Sequence, residues 1–310
     1  MPKDFIDYDQ QLELLRNKAL TINDDEQAKR KLSQIGYFSL IGSYKHPFKD
    51  KTTKKYRNNV TFDDIVMLYT LDMDLRNLFL KHLLIIERSV KSQMAYVFCD
   101  KHGASQTAYL DPQNYSNAPA KNQTIQNLIK VLRPLAEEPT YYPYINHHQT
   151  VHHNVPLWVL INAVTFGSMS KMFGVLPQNL QSRIAREYPL NIKELDQILS
   201  VLTKYRNACA HGERLFSYQT KDDIPDLALH KKLKLPQKGQ QYRYGKHDLF
   251  AVVIAFRYML PWDTFIMFKK ELSKLLDDFS SRCNSLPYSK LLDEMGFPPN
   301  WKNITKKYKL

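Results

Sequence analysis

Downstream of Thr61 the chain carries Ile65, Leu68, Leu75, Leu78, Leu83, Ile86, Val90, Met94 and Val97 at spacings that trace a helical stripe up to Gly103. A β-strand alternates faces at every residue and cannot gather this set on one side. A long helix, or two helices in line, must therefore form the spine of the fold. Thr61-x-x-Asp64 opens the stripe with the residue types of a capping box, Asp standing where Glu is preferred. Glu87, Arg88 and Lys91 interrupt its middle, and charge in an apolar helix belongs either to a site or to an exposed or interhelical salt bridge.

Helices are also expected over 8–20, from 24 onward, and over 122–137, 157–173, 178–187, 192–211, 247–260, 262–279 and 288–295. Tyr37, Phe38, Leu40 and Tyr44 form an aromatic hinge, and the Ser, Asn and Pro content of 104–120 predicts a loop. Nine glycines, with no G-x-G-x-x-G or P-loop pattern, argue against a Rossmann-like fold and nucleotide-driven chemistry. At 310 residues and 43% hydrophobic the chain can bury a sizeable core. The expected organisation is one all-α domain, with an N-terminal helical extension over 1–60, a helical core over 61–216, a mobile basic linker over 217–246 and C-terminal helices over 247–310.

Chemistry concentrates in Arg206-Asn207-Ala208-Cys209-Ala210-His211. Histidine exchanges protons near neutral pH, arginine stabilises a phosphate gaining charge, and asparagine orients either partner, so these residues suit RNA cleavage without a metal. Ile198, Leu202, Tyr205 and Cys209 make the buried stripe of this helix. At about 100° per residue, Asn207, His211 and Arg214 fall between about 120° and 180° from Leu202, and Arg206 falls at about 40°. Arg206 is thus not beside His211 by helix geometry alone, and another element or a second copy must complete the site. Gly212 is a candidate helix terminator, which bears on the placement of Arg214.

Arg206-Asn207-x-x-x-His211, followed by Gly212 and Arg214, resembles the R-x4-H signature of the HEPN superfamily of all-helical RNases and RNA-binding domains. Along the rest of the chain Gln34-Ile35-Gly36-Tyr37-Phe38, Thr61-Phe62, Leu68-Tyr69, Asp74-Leu75-Arg76, Ile86-Glu87-Arg88, Pro156-Leu157-Trp158, Phe166-Gly167-Ser168-Met169-Ser170 and Gly296-Phe297-Pro298-Pro299-Asn300-Trp301 occur in order. This series resembles the AbiD/AbiF-like abortive-infection family of bacterial phage resistance. The resemblance implies a HEPN-like helical bundle with additional helices and basic loops. It further implies a toxin-like, cofactor-free endoribonuclease acting as a homodimer and leaving 2′,3′-cyclic phosphate and 5′-hydroxyl ends. Arg206, Asn207 and His211 would be its catalytic residues, with Glu87, which would orient His211 or pair with Arg206, and Arg88 and Arg214 in support, and a small regulatory RNA or antitoxin-like partner would restrain it. Gly212 stands where such families often carry a second histidine or another polar residue. A noncatalytic RNA-binding module and a protein-interaction scaffold remain the alternatives.

Lys and Arg number 44 against 31 Asp and Glu, a net charge of +13, which attracts phosphate backbones and equally anionic membranes or acidic proteins. The charge is concentrated: Lys45, Lys49, Lys51, Lys54, Lys55 and Arg57 surround a lone Asp50 and form the expected RNA-binding loop. A second basic stretch, 231–246, contains Arg243 between Tyr242 and Tyr244, and the tail adds Lys302, Lys306, Lys307 and Lys309. Aromatics among cations suit unpaired bases. Cys99, Cys209 and Cys283 form no C-x-x-C pair and fit a reducing cytoplasm. The opening Met1-Pro2-Lys3-Asp4 leads into no apolar signal core. The most apolar stretch, 157–176, is broken by Asn162, Ser168, Ser170 and Lys171, so no membrane span is expected. His147, His148, His152 and His153 match no zinc spacing and have no neighbouring cysteine, and the expectation is a loop histidine contacting RNA, or plain solvent exposure, in preference to a metal site.

Overall fold

The stripe that opens at Thr61 is one continuous helix, Phe62–His102. A computed structural model describes residues 4–306; Met1, Pro2, Lys3 and the tail lysines Lys307 and Lys309 lie outside the described residues. In chain order the helices are α1 (Tyr8–Arg16), α2 (Asp25–Ile35), α3 (Phe62–His102), α4 (Gln106–Leu110), α5 (Asn122–Glu137), α6 (Pro143–Val151) and α7 (Leu157–Leu160). They continue with α8 (Phe166–Val175), α9 (Gln178–Ala185), α10 (Ile192–Ala210), α11 (Ala228–Lys232), α12 (Leu249–Met259), α13 (Trp262–Arg282) and α14 (Tyr288–Glu294). Among the described residues the one sheet is a two-stranded hairpin, Gln237–Lys238 against Gln241–Tyr242. The fold is all-α.

Thr61 starts α3 as its residue types require: its hydroxyl accepts from Asp64 N at 3.2 Å and the Asp64 carboxylate accepts from Thr61 N at 2.8 Å. α13 runs antiparallel along α3. Phe79 meets Phe268 edge to face at 5.2 Å and Lys81 pairs with Glu271 at 3.6 Å, while Met67 at the start of α3 shares a cleft with Leu275 and Phe279 near the end of α13. α10 packs on α3 from another side and on α8. Two glycines bring α8 close: a Cβ on Gly167 would meet Thr203 at 3.5 Å, and one on Gly174 would meet Asp196 Oδ1 at 3.1 Å. The Phe166-Gly167-Ser168-Met169-Ser170 motif is thus part of a helix contact.

Several expectations are corrected. The helix expected over 157–173 is two: the chain turns after α7, where Asn162 Nδ2 bonds Trp158 O at 2.9 Å, and restarts when Thr165 accepts from Ser168 N at 3.1 Å. The expected loop over 104–120 contains α4 and short 3₁₀ turns. His147 and His148 lie on α6, which Pro143 initiates with its preset φ. The stretch 217–246, expected as a mobile linker, is packed: Ile224, Leu227, Leu229, His230, Leu233 and Leu235 are buried, and Ile224 N bonds Lys246 O at 2.8 Å. Its scattered leucines reach the core although its lysines dominate the composition. The closing Gly296–Trp301 motif packs Phe297 on Phe250 and Trp301, and Asn300 Nδ2 bonds Leu233 O at 2.8 Å. No helix among the described residues is long and apolar enough to cross a membrane.

Candidate functional site

α10 carries the Arg206–His211 cluster, and its own ends explain the placement. Asn191 and Glu194 cap its start reciprocally, at 2.8 and 2.9 Å. Ile198, Leu202, Tyr205 and Cys209 are buried, Arg206 is half-buried, and Asn207 and His211 are exposed. At the C-terminus Glu213 N bonds Ala208 O at 3.0 Å and Gly212 N bonds Cys209 O at 3.3 Å, the paired bonds of a Schellman motif. His211 is the C-cap residue, and Gly212 follows with φ +70°. A Cβ on Gly212 would meet nothing within 4 Å. The demand for glycine is therefore conformational, which accounts for its presence where the family resemblance led to a polar side chain. The helix ends before Arg214, which does not continue the Asn207–His211 face.

The charged interruption of α3 faces this helix. Glu87 is buried; its Oε1 lies 2.7 Å from Lys91 Nζ and its Oε2 lies 3.5 Å from Arg206 Nε. The second contact is an ion pair without hydrogen-bond geometry, since both atoms are buried and unbonded. One carboxylate is shared by two cations, so Arg206 is anchored while the cluster keeps an excess positive charge. Glu87 thus meets Arg206, and Arg88, its neighbour, is exposed.

A second carboxylate, which the sequence reading passed over, ties down the chain after His211. Asp72 is fully buried and accepts from Tyr44 Oη at 2.8 Å, Arg76 Nη1 at 2.5 Å, Leu215 N at 3.0 Å and Phe216 N at 2.5 Å. Arg76 Nη1 also reaches Glu213 O at 3.3 Å. Burial pushes the Asp72 carboxyl up, against the opposing pull of Tyr44, Arg76 and the two amides, and burial likewise raises the Tyr44 hydroxyl. The visible signal was an Asp and an Arg four residues apart inside an apolar stripe.

Arg214 Nη1 donates to Ser43 O at 2.6 Å, and its guanidinium lies 5.8 Å from the Phe216 ring. Lys45 follows Ser43 by two residues, so the basic loop leaves the fold beside the end of α10. Within the loop Asp50 accepts from Thr52 N and Thr53 N at 2.9 and 2.7 Å, which turns Lys51, Lys54 and Lys55 into solvent. Lys45 is half-buried; Lys49 lies 5.0 Å over Tyr56, and burial, with Lys18 and Lys45 nearby, lowers its pKa. Arg57 is occupied, donating to Pro47 O at 2.8 Å and Ser285 O at 2.9 Å. Arg243 is paired with Asp293 at 2.9 Å and lies 5.0 Å from the Tyr244 ring. Lys51 and Tyr244 line one cleft of about 540 Å³, so the two basic stretches converge although they are far apart in sequence. The rings of His147, His148 and His152 cluster at 4.9 to 6.1 Å, and no group among the described residues is placed to hold a metal ion.

The model of the family described as Abi-like protein matches residues 30–217, more than half of the chain, from within α2 through the Arg206–His211 cluster to the Asp72-bound strap. A search of curated proteins and a search of solved structures returned no match. The matched region spans the α3 spine and the α10 cluster, and the chain belongs to the Abi-like protein family.

Proposed function

We propose that this Abi-like protein acts in abortive infection as a HEPN-type endoribonuclease that needs no metal ion. Family membership supports the role in abortive infection. The nuclease reading rests on one observation: Arg206 of α10 is held against α3 by Glu87 at 3.5 Å while His211 stands exposed at the capped C-terminal end of α10. In this reaction the ribose 2′-OH attacks the adjacent phosphorus as its proton is removed. The P–O5′ bond breaks, the O5′ takes a proton, and a 2′,3′-cyclic phosphate and a 5′-hydroxyl remain. His211 serves one of the two proton transfers, Arg206 stabilises the pentacoordinate phosphate and Asn207 orients them. The second acid or base comes from another copy of the chain, because Gly212 offers no side chain beside His211. Lys45, Lys49, Lys51, Lys54 and Lys55 lead RNA toward this end of α10. A small RNA or antitoxin-like partner restrains the activity.

The test is cleavage of RNA by wild-type and His211→Ala protein in excess EDTA, with fragment ends identified. Cutting to cyclic phosphate ends that vanishes in the variant supports the reading. Retained RNA binding with no cutting by the wild type favours a noncatalytic RNA-binding module, for which the exposed basic loop is the supporting observation. Weak RNA affinity at physiological salt favours a protein-interaction scaffold.

A further inference from the structure

Asp196 lies near the opposite end of α10 from His211, about 22 Å along the helix axis. It stands in an open cleft whose two lobes, about 610 and 760 Å³, share Lys121, Gly174 and Asp196 in their walls. Gly174 makes room for the carboxylate, since a Cβ there would lie 3.1 Å from Asp196 Oδ1. Asp196 is half-buried, and burial pushes its carboxyl up against the weaker opposing effect of Lys121. No side-chain hydrogen bond or ion pair engages that carboxylate among the described residues, so its oxygens are free to accept from donors that enter the cleft.

The surrounding charge is positive. Lys121, Lys171 and Lys193 line the cleft, and none of them takes part in an ion pair among the described residues. The other acids are occupied: Asp222 is paired with Lys204, and Asp223 accepts from His247 Nδ1 at 2.9 Å. A single unpaired carboxylate among unpaired lysines fits an anion that also carries N–H donors. Of the four RNA bases, guanine alone presents two adjacent donors, N1–H and N2–H, to a carboxylate. Adenine and cytosine set an acceptor beside their amino group, and uracil flanks its N–H with two carbonyls.

We propose that this cleft binds a guanine nucleotide, free or as one residue of an RNA strand, with Asp196 reading the base and Lys121 and Lys171 holding the phosphate. Neither the geometry nor its test depends on cleavage at His211. Calorimetric titration of the full chain with guanosine, adenosine, cytidine and uridine 5′-monophosphates reads the preference directly. Guanosine monophosphate binds about tenfold or more tightly than the others. Asp196→Asn, which removes a charge that no partner balances and so folds, brings the four to parity. Lys121→Ala with Lys171→Ala weakens guanosine monophosphate about tenfold and leaves unphosphorylated guanosine unchanged. A short oligouridine with one guanosine distinguishes the sources: affinity equal to that of the mononucleotide assigns the cleft to free nucleotide, and affinity about tenfold higher than both the mononucleotide and plain oligouridine assigns it to RNA. Absence of a guanine preference in both ligands overturns the proposal, as does a preference that survives Asp196→Asn. Thermal melts matching the wild type confirm that each variant is folded.

Discussion

Arg206 Nε lies 3.5 Å from Glu87 Oε2, and the other oxygen of that carboxylate lies 2.7 Å from Lys91 Nζ. One buried anion therefore sets the position of the candidate catalytic cation and offsets only part of the positive charge around it.

Replacing Glu87 by Gln leaves Lys91 and Arg206 facing each other without a counter-charge. Loss of one partner of a buried pair costs about 3 kcal/mol, read as a fall in the denaturant midpoint. Adding Lys91→Met to Glu87→Gln removes the second unbalanced charge and recovers much of that stability, but RNA cleavage stays low because Arg206 remains unanchored. Recovery of cleavage together with stability would show that Glu87 has no positioning role.

Gly212→Ala tests the helix end. The φ of +70° is the obstacle and no neighbour crowds the added methyl, so the cost is about 1 kcal/mol. The Schellman bonds to Ala208 and Cys209 loosen, and cleavage falls more than stability does. His211→Ala, by contrast, removes an exposed side chain and leaves the melting curve within about 0.5 kcal/mol of wild type.

Asp248 makes a pH-dependent contribution. It caps α12 from a buried position beside Gly296, where a Cβ would fall 2.3 Å from its carboxyl group, and burial pushes its pKa up from 3.8 to about 7. The folded chain holds the proton longer than the unfolded chain. The stabilisation is therefore complete below 3.8 and is lost as pH rises to about 7, a change of roughly 4 kcal/mol across the window. Urea midpoints measured between those pH values fall with rising pH in the wild type, and the Asp248→Asn variant lacks this part of the slope.

The basic loop divides by role. Lys51, Lys54 and Lys55 are exposed, and replacing all three by Ala lowers RNA affinity and flattens the logarithmic salt dependence by about 2 without changing stability. Arg57→Ala instead frees the carbonyls of Pro47 and Ser285 and lowers the melting temperature. Filter binding at several salt concentrations, alongside thermal melts, separates the two effects.

Local chemistry made much of the fold readable. The capping box at Thr61, the buried stripe of α10 and the exposure of Asn207 and His211 follow from helix period and cap residues, which act within a few positions of the chain. The break between α7 and α8 was hidden because a caps-and-turn solution at Thr165 competes with a continuous apolar pattern. Arg57 and Arg243 read as free cations from composition, yet one is spent on carbonyls and the other on Asp293. Whether a side chain is free depends on neighbours that the local pattern does not contain.

The sequence by itself determined that the chain is helical, where its spine begins, and that an arginine, an asparagine and a histidine share one helix. Only the tertiary structure decided that Glu87 meets Arg206, that Asp72 holds the backbone beyond His211, and that Lys51 and Tyr244 line one cleft. Helical period and capping act through bonds spanning three or four residues, whereas these pairings join residues more than a hundred positions apart, brought together when apolar faces of distant elements leave water, those of α3 and α10 for the first pair.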